Sequence, residues 1–373
     1  MKKSALRILY LIDHLETNYP RDQNYIIKFM LEKGHSIEVV TSRDKRFEQY
    51  DLTFFPQANI MRCPVVLQVK KAKVYFHPVM LRKLYQAYDV VHSFTFFTYS
   101  SIYATYVKSS IKVIRAEVGP PDGSNFAKAG HGIYSLLVNW YKSRYSYFTV
   151  YNQLEANSLK LLGFPEEDII LLPPMVDFNK FSSLRRRYAN DSVLMGIIAR
   201  ISPEKGIHRI VPIMREVMKN MLSMRRKLKL ILAGRVDNQD YARRILTDLR
   251  NLLGSSFTYL GEVAPPYKFY KNVDVVLVPS VTETGAITVL EAMAAGKCVI
   301  ASNIYPANLY ISNGLNGFIF NTPFEAARLI LSILEGHINL KSISKEAQRY
   351  AQKHDYKFVC GRLEEMYRHA ISL

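Results

Sequence analysis

Short apolar runs separated by amphipathic stretches recur along the chain in one order. LRILYLI at residues 6–12 is continuously apolar; a polar loop, a helical pattern (Tyr25, Ile26, Phe29, Met30, Leu31) and GHSIEVVTS follow it. The pattern predicts strand, helix, strand. It repeats as DVVHSF near 89–94, a helical stretch, KVIRAEV at 112–118, an aromatic helix over 132–146 and YFTVYN. Strands alternating with helices predict a parallel α/β sheet.

A passage with paired prolines, LLPPMVDFNKF at 171–181, interrupts this rhythm, which restarts with SVLMGIIARIS at 192–202. A helix over 208–224, KLILAG, the helix YARRILTDLRNLLG capped by Gly254, FTYLG, a short YKFYKN helix and DVVLVPS come next. AITVLEAMAAG, VIAS and GLNGFIF complete the series, and residues from about 345 read as helix with no strand after them. The chain therefore divides into two doubly wound α/β domains hinged near 178–190. The first spans 1–177, completed by a C-terminal helix over 346–373, and the second spans 178–345. A ligand is expected between the carboxyl ends of their strands.

Length agrees with two domains: 373 residues, 49% hydrophobic and 22% charged, are ordinary globular values. Cys63, Cys298 and Cys360 are too few and too far apart for a disulfide framework, which points to a reducing, cytoplasmic setting. MKKSALRILYLID reads as a first strand, not a leader. The uncharged stretch over 90–107 holds His92 and many hydroxyls and is too polar to span a bilayer. Net charge changes the picture more. At +18, with 23 basic against 16 acidic residues over 1–180 and 27 against 16 beyond, both halves favour phosphates, anionic membrane or nucleic acid. No aromatic and basic RNA motif supports nucleic acid.

Candidate chemistry concentrates in two segments. In PSVTETGAITVLEAMAAGKCVIA, Glu283 falls in a loop after a strand and Glu291 within the first two turns of a helix starting near Gly285. Helix N-terminal amides suit an anion and a neighbouring carboxylate suits hydroxyls, so phosphate plus sugar fits the pair. Taken alone, a cap and a surface ion pair fit as well. In GIIARISPEKG, Arg200 and Lys205 project from a short loop where two cations can converge on a diphosphate, or stay solvated. His92 follows an apolar run and either lines the cleft or, as a lone histidine more often does, serves as a satisfied structural residue. KAGHGIYSLLVNWYKSR at 128–144, with Ile133, Leu136, Leu137 and Trp140, is an amphipathic helix packed on the first sheet or one lying at a membrane interface. The basic clusters over 185–187 and 225–229 read as solvated faces, with contact to anionic lipids as the alternative.

GIIARISPEKG, LILAG, FTYLGEV and VPSVTETGAITVLEAMAAGKCVIASN, in this order and spacing, resemble the C-terminal domain of retaining glycosyltransferases of family 4 (glycosyl transferases group 1). A weaker resemblance runs through ILYLIDHLETNYP, EKGHSIEVVTS, YDVVHSF and LLPPMVDFNKF. It implies the GT-B fold of two facing Rossmann-like domains with a deep interdomain cleft, and transfer of a sugar from a nucleotide diphosphate donor to a glycan or lipid-linked hydroxyl. It also implies that Arg200 and Lys205 hold the donor diphosphate, with Gly285 and Ala286 touching phosphate or sugar. Glu283 is then the catalytic carboxylate on the sugar hydroxyls, Glu291 binds the ribose, and Gly261 and Val263 border the base. No metal and no cofactor is implied. Three positions depart from the pattern. The Gly-Gly turn after the first strand is replaced by ETNYPRDQNYI, an aromatic-Gly pair by Gly285 and Ala286, and the cleft histidine by Glu117, which takes a catalytic or acceptor-binding role or pairs with Arg115 or Lys112. The same architecture serves nucleotide-sugar epimerases and phosphorylases, and a non-catalytic basic scaffold on membrane or nucleic acid is the reading from another class. An anionic membrane surface at the inner face of the cell membrane remains a candidate partner.

Overall fold

A computed structural model describes residues 4–17, 21–69, 72–96, 98–116, 133–184, 191–220 and 225–372. Glu117, the part of the 128–144 segment before residue 133 and the cluster over 185–187 lie outside the described residues. Two compact units result: Met1–Pro174 with Tyr356–Leu373, and Met175–Asp355. Each is built on one parallel sheet.

In the first unit the strands are β1 (Arg7–Ile12), β2 (Ser36–Ser42), β3 (Asn59–Cys63), β4 (Val65–Val69), β5 (Ala72–Tyr75), β6 (Tyr88–Ser93), β7 (Ser109–Arg115), β8 (Tyr147–Val150) and β9 (Ile169–Leu171). Their order is β3-β2-β1-β6-β7-β8-β9, with β4 and β5 as a separate antiparallel hairpin. Beyond Arg7, β1 is continuously apolar because helices cover both faces of the sheet, leaving Ile8 to Leu11 without exposure. β3 and the hairpin escape the periodicity reading. NIMRC is an edge strand whose first four residues are only partly covered or exposed, so its sequence alternates little.

The second unit contains β10 (Ser192–Ile198), β11 (Lys227–Ala233), β12 (Phe257–Tyr259), β13 (Val275–Val278), β14 (Cys298–Ser302) and β15 (Phe318–Phe320). The order β12-β11-β10-β13-β14-β15 is the doubly wound pattern, with its switch point between β10 and β13. Its helices obey the local rules. Helix Gln239–Leu253 opens on Asn238, whose side chain accepts from Tyr241 N at 3.0 Å, and stops at Gly254 with φ +51.

The domain limits differ from 177/178 and 345/346. The chain crosses between units at 174/175 and 355/356. The expected single C-terminal helix is two. Leu340–Gln352 stays in the second unit, where the small Ala347 and Ala351 are buried. Tyr356–Ser372 belongs to the first, where Tyr356 stacks on Tyr25 and the Tyr367 hydroxyl lies 2.6 Å from His92 Nδ1. Burial, with the Arg115 charge adding, pushes His92 down to about 3, so it is a neutral core residue.

A buried ionic knot pins the amino ends of the first unit's strands. Glu38 on β2 accepts from Lys83, from Arg7 at 2.9 Å and from Tyr88 at 3.1 Å. Burial pushes the Glu38 carboxyl up, but these donors outweigh it and hold the group below the usual glutamate range. Lys83→Met should therefore cost about 2 kcal/mol, lowering the melting temperature by about 5 °C in calorimetry. Glu38→Gln added to it should recover part of the loss. The difference is full at neutral pH and shrinks as acid protonates Glu38.

Candidate functional site

The predicted donor residues gather at the carboxyl ends of β10, β11, β12 and β13, the edge where doubly wound sheets bind ligands. After β10 the chain turns through Pro203–Lys205 and reaches Gly206 with φ +63. A Cβ at Gly206 would lie 2.0 Å from the Pro279 carbonyl oxygen, so only glycine lets this loop meet the one after β13. Val281 N donates to the Glu204 carbonyl at 2.9 Å and locks the two together.

That junction brings Lys205 to Glu283. Lys205 Nζ donates to both carboxylate oxygens of Glu283 at 2.8 Å, and Ser280 Oγ donates to Oε1 at 2.7 Å. Arg200 leaves the same loop in another direction, pairing with Asp237 and, at 3.0 Å, with Glu204. Burial pushes Asp237 up, but Arg200 and Arg235 outweigh it and hold its carboxyl below the ordinary range.

Gly285 and Ala286 are buried beside helix Ile287–Ala294, and the Tyr310 hydroxyl donates to the Gly285 carbonyl at 3.2 Å. Ala286 has φ +43, the one positive value at a non-glycine among the described residues. A side chain held there is strained, and such strain collects at functional sites. Glu291 turns inward from this helix and accepts from the buried Tyr270 hydroxyl at 2.9 Å. Burial and the Glu291 charge push the Tyr270 phenol well up. Gly261 has φ +70 and accepts from Gly234 N at 2.7 Å, while Val263 half-buries against the core.

Three residues escaped the sequence reading. Gly234 has φ +147 and a Cβ there would lie 1.8 Å from the Ala199 carbonyl, so it seats the β11 end against β10. Ser280 orients Glu283. Arg209 donates to Ser302 Oγ at 2.8 Å and to the Pro279 carbonyl at 3.3 Å, bracing the loop that carries Glu283. Glycine directly after an apolar strand was the available signal for Gly234; the other two contacts span 3 and 70 to 93 residues and leave no periodic trace.

Residues 183–350 match the sequence profile of glycosyl transferases group 1. The chain carries a glycosyl transferases group 1 domain. It is 27% identical over 194 residues, 48% of each chain, to the lipopolysaccharide 1,2-N-acetylglucosaminetransferase of Salmonella typhimurium. Identity is also 27% over 229 residues to the capsular polysaccharide biosynthesis glycosyltransferase CapM of Staphylococcus aureus, covering 58% of this chain and 57% of that one. The chain thus spans about half the length of these curated relatives. The structure of Anabaena Alr3699/HepE in complex with UDP and glucose superposes with a TM-score of 0.73 at 18% identity, over 97% of this chain and all of that one. The fold is GT-B, with two Rossmann-like units, and the group 1 domain contains every predicted donor residue.

Gly206→Ala tests the junction. The added methyl forces the loops apart at a left-handed backbone position, so the group 1 domain should melt several degrees lower in calorimetry. An unchanged melting temperature would show that the loops do not meet as described.

Proposed function

We propose that this protein is a retaining glycosyltransferase that moves a sugar from a nucleoside diphosphate sugar to a hydroxyl of a glycan or a lipid-linked acceptor. The observation that carries the reading is the grip of Lys205 on both oxygens of Glu283 beside the strained Ala286. It sets a cation for the diphosphate next to a carboxylate for sugar hydroxyls.

In this mechanism Lys205 and Arg200 neutralise the charge that grows on the leaving diphosphate, and amides near Gly285 and Ala286 share it. Glu283 orients the sugar through its hydroxyls. Glu291 takes the ribose hydroxyls, with the Tyr270 phenol fixing its rotamer, and Gly261 and Val263 border the base. The bond from the anomeric carbon to the diphosphate oxygen breaks while the acceptor oxygen bonds to that carbon on the same face. The acceptor proton passes to the departing diphosphate oxygen. No metal ion is needed, because these cations and amides take its part. The reaction belongs in the cytoplasm, where nucleotide sugars are the donors, and the +18 charge suits an acceptor held at an anionic membrane surface.

UDP is the first nucleotide to test, since the similar HepE structure holds it. Saturating UDP should raise the melting temperature by mass action, and Lys205→Ala and Arg200→Ala should each lose about 3 kcal/mol of transition-state stabilisation, about a hundredfold in UDP release from UDP-sugars. Full turnover in both variants would falsify the diphosphate assignment.

The retaining and metal-free steps have their own readouts. Activity should survive EDTA, proton NMR of the product should keep the donor's anomeric configuration, and Glu283→Gln should lower turnover more than UDP affinity. An inverted anomer or an absolute need for magnesium or manganese would remove the protein from this class.

A further inference from the structure

The second unit holds a cavity of about 740 Å³ that no step of the proposed reaction uses. It lies at the amino ends of the strands, where Val193 is the second residue of β10 and Asp274 immediately precedes β13. Arg200, Lys205 and Glu283 follow the carboxyl ends. The seven residues of β10, at about 3.3 Å each, set the two edges roughly 20 Å apart. The cavity is therefore distinct from the predicted donor residues.

Its cations come from two distant pieces of chain. Arg225 and Arg226 precede β11, and Lys341 lies in the first turn of helix Leu340–Gln352, just after helix Pro323–Glu335. The end of helix Pro323–Glu335 explains where Arg226 sits. Gly336, with φ +88, turns the chain away there, and Arg226 donates to the Ile333 carbonyl and, at 3.3 Å, to the Leu334 carbonyl. The guanidinium is thus fixed at the cavity wall before any ligand binds. Arg225 and Lys341 are exposed, and among the described residues none of the three forms an ion pair.

The remaining wall is suited to hydroxyls and aliphatic surface. Asp191 is exposed, whereas Asp274 is buried with Oδ2 accepting from Leu194 N at 3.0 Å. Burial pushes the Asp274 carboxyl up against the opposing pull of Leu194 N, Lys297 and Arg226. Asn339 spends Oδ1 on the amides of Lys341 and Ser342, at 3.1 and 3.2 Å, so its Nδ2 is the donor it can offer a ligand. Val193, Ile338 and Leu340 add apolar wall, and none of the described lining residues is aromatic.

A phosphate dianion suits three cations that no carboxylate neutralises, and carboxyl and carboxamide groups suit hydroxyls. A nucleotide base would find no aromatic platform to stack on. The volume falls in the range of small-molecule sites, so the phosphate carries a body. We propose that this cavity binds a phosphorylated sugar, its phosphate on Arg225, Arg226 and Lys341 and its hydroxyls on Asp191, Asp274 and Asn339. The site stands apart from the proposed function, because it shares no residue with the donor set.

The test is isothermal titration calorimetry of the full chain with glucose 6-phosphate, ribose 5-phosphate, glucose and inorganic phosphate. At least one sugar phosphate should bind, more tightly than inorganic phosphate, and glucose should give no heat of binding. Arg225→Ala/Lys341→Ala, both at exposed positions, should weaken that binding about tenfold or more. Arg226 stays in place because it also holds a helix end. Lys205→Ala should leave the affinity unchanged, and UDP should still raise the melting temperature of the double variant, which separates failure of this cavity from failure of the donor site. Binding lost in Lys205→Ala but kept in the double variant assigns the sugar phosphate to the loops after β10 and β13 and overturns the proposal. So does inorganic phosphate binding as tightly as either sugar phosphate, or no binding of both.

Discussion

The contact of Gly206 with the Pro279 carbonyl is the constraint on which the candidate site depends. Without it, the loops after β10 and β13 stand apart by at least a methyl group, and Lys205 no longer reaches both oxygens of Glu283. Three further features reinforce that approach: the Val281 to Glu204 hydrogen bond closes it, Arg209 braces the β13 loop, and Gly234 keeps β11 tight against β10. Two oppositely charged side chains are thereby held together before any ligand arrives. The geometry is preorganised, so a ligand bound there need not bring the two groups together.

The second consequence of this packing is a division of labour between carboxylates. Glu283 faces the loop and its lysine, whereas Glu291 faces the interior and its tyrosine. One carboxylate is held by a cation and the other by a neutral hydroxyl. They are eight positions apart on one segment, yet the turn at Ala286 separates their surroundings. Strain at that turn is the local cost of giving them different partners.

How much of this was legible before the structure varied with sequence distance. LRILYLI and SVLMGIIARIS mark strands because burial on both faces forces a continuous apolar run, and Gly254 marks a helix end because a left-handed cap excludes side chains. Lys205 and Glu283 were legible as candidates, but their contact was not, since 78 residues separate them. The division of the C-terminal segment into two helices was hidden too, because neither proline nor glycine stands between Ala351 and Tyr356 to mark the break, and only the unit each packs into tells them apart.

The return of helix Tyr356–Ser372 to the first unit carries a temporal meaning. On the ribosome, the chain up to Asp355 holds everything the second unit requires. The first unit, though its sheet is made earlier, still lacks the helix that gives Tyr25 its stacking partner and His92 its hydroxyl. The unit whose strands are made first is thus the one that finishes later, and the group 1 half can assemble before the earlier half is closed.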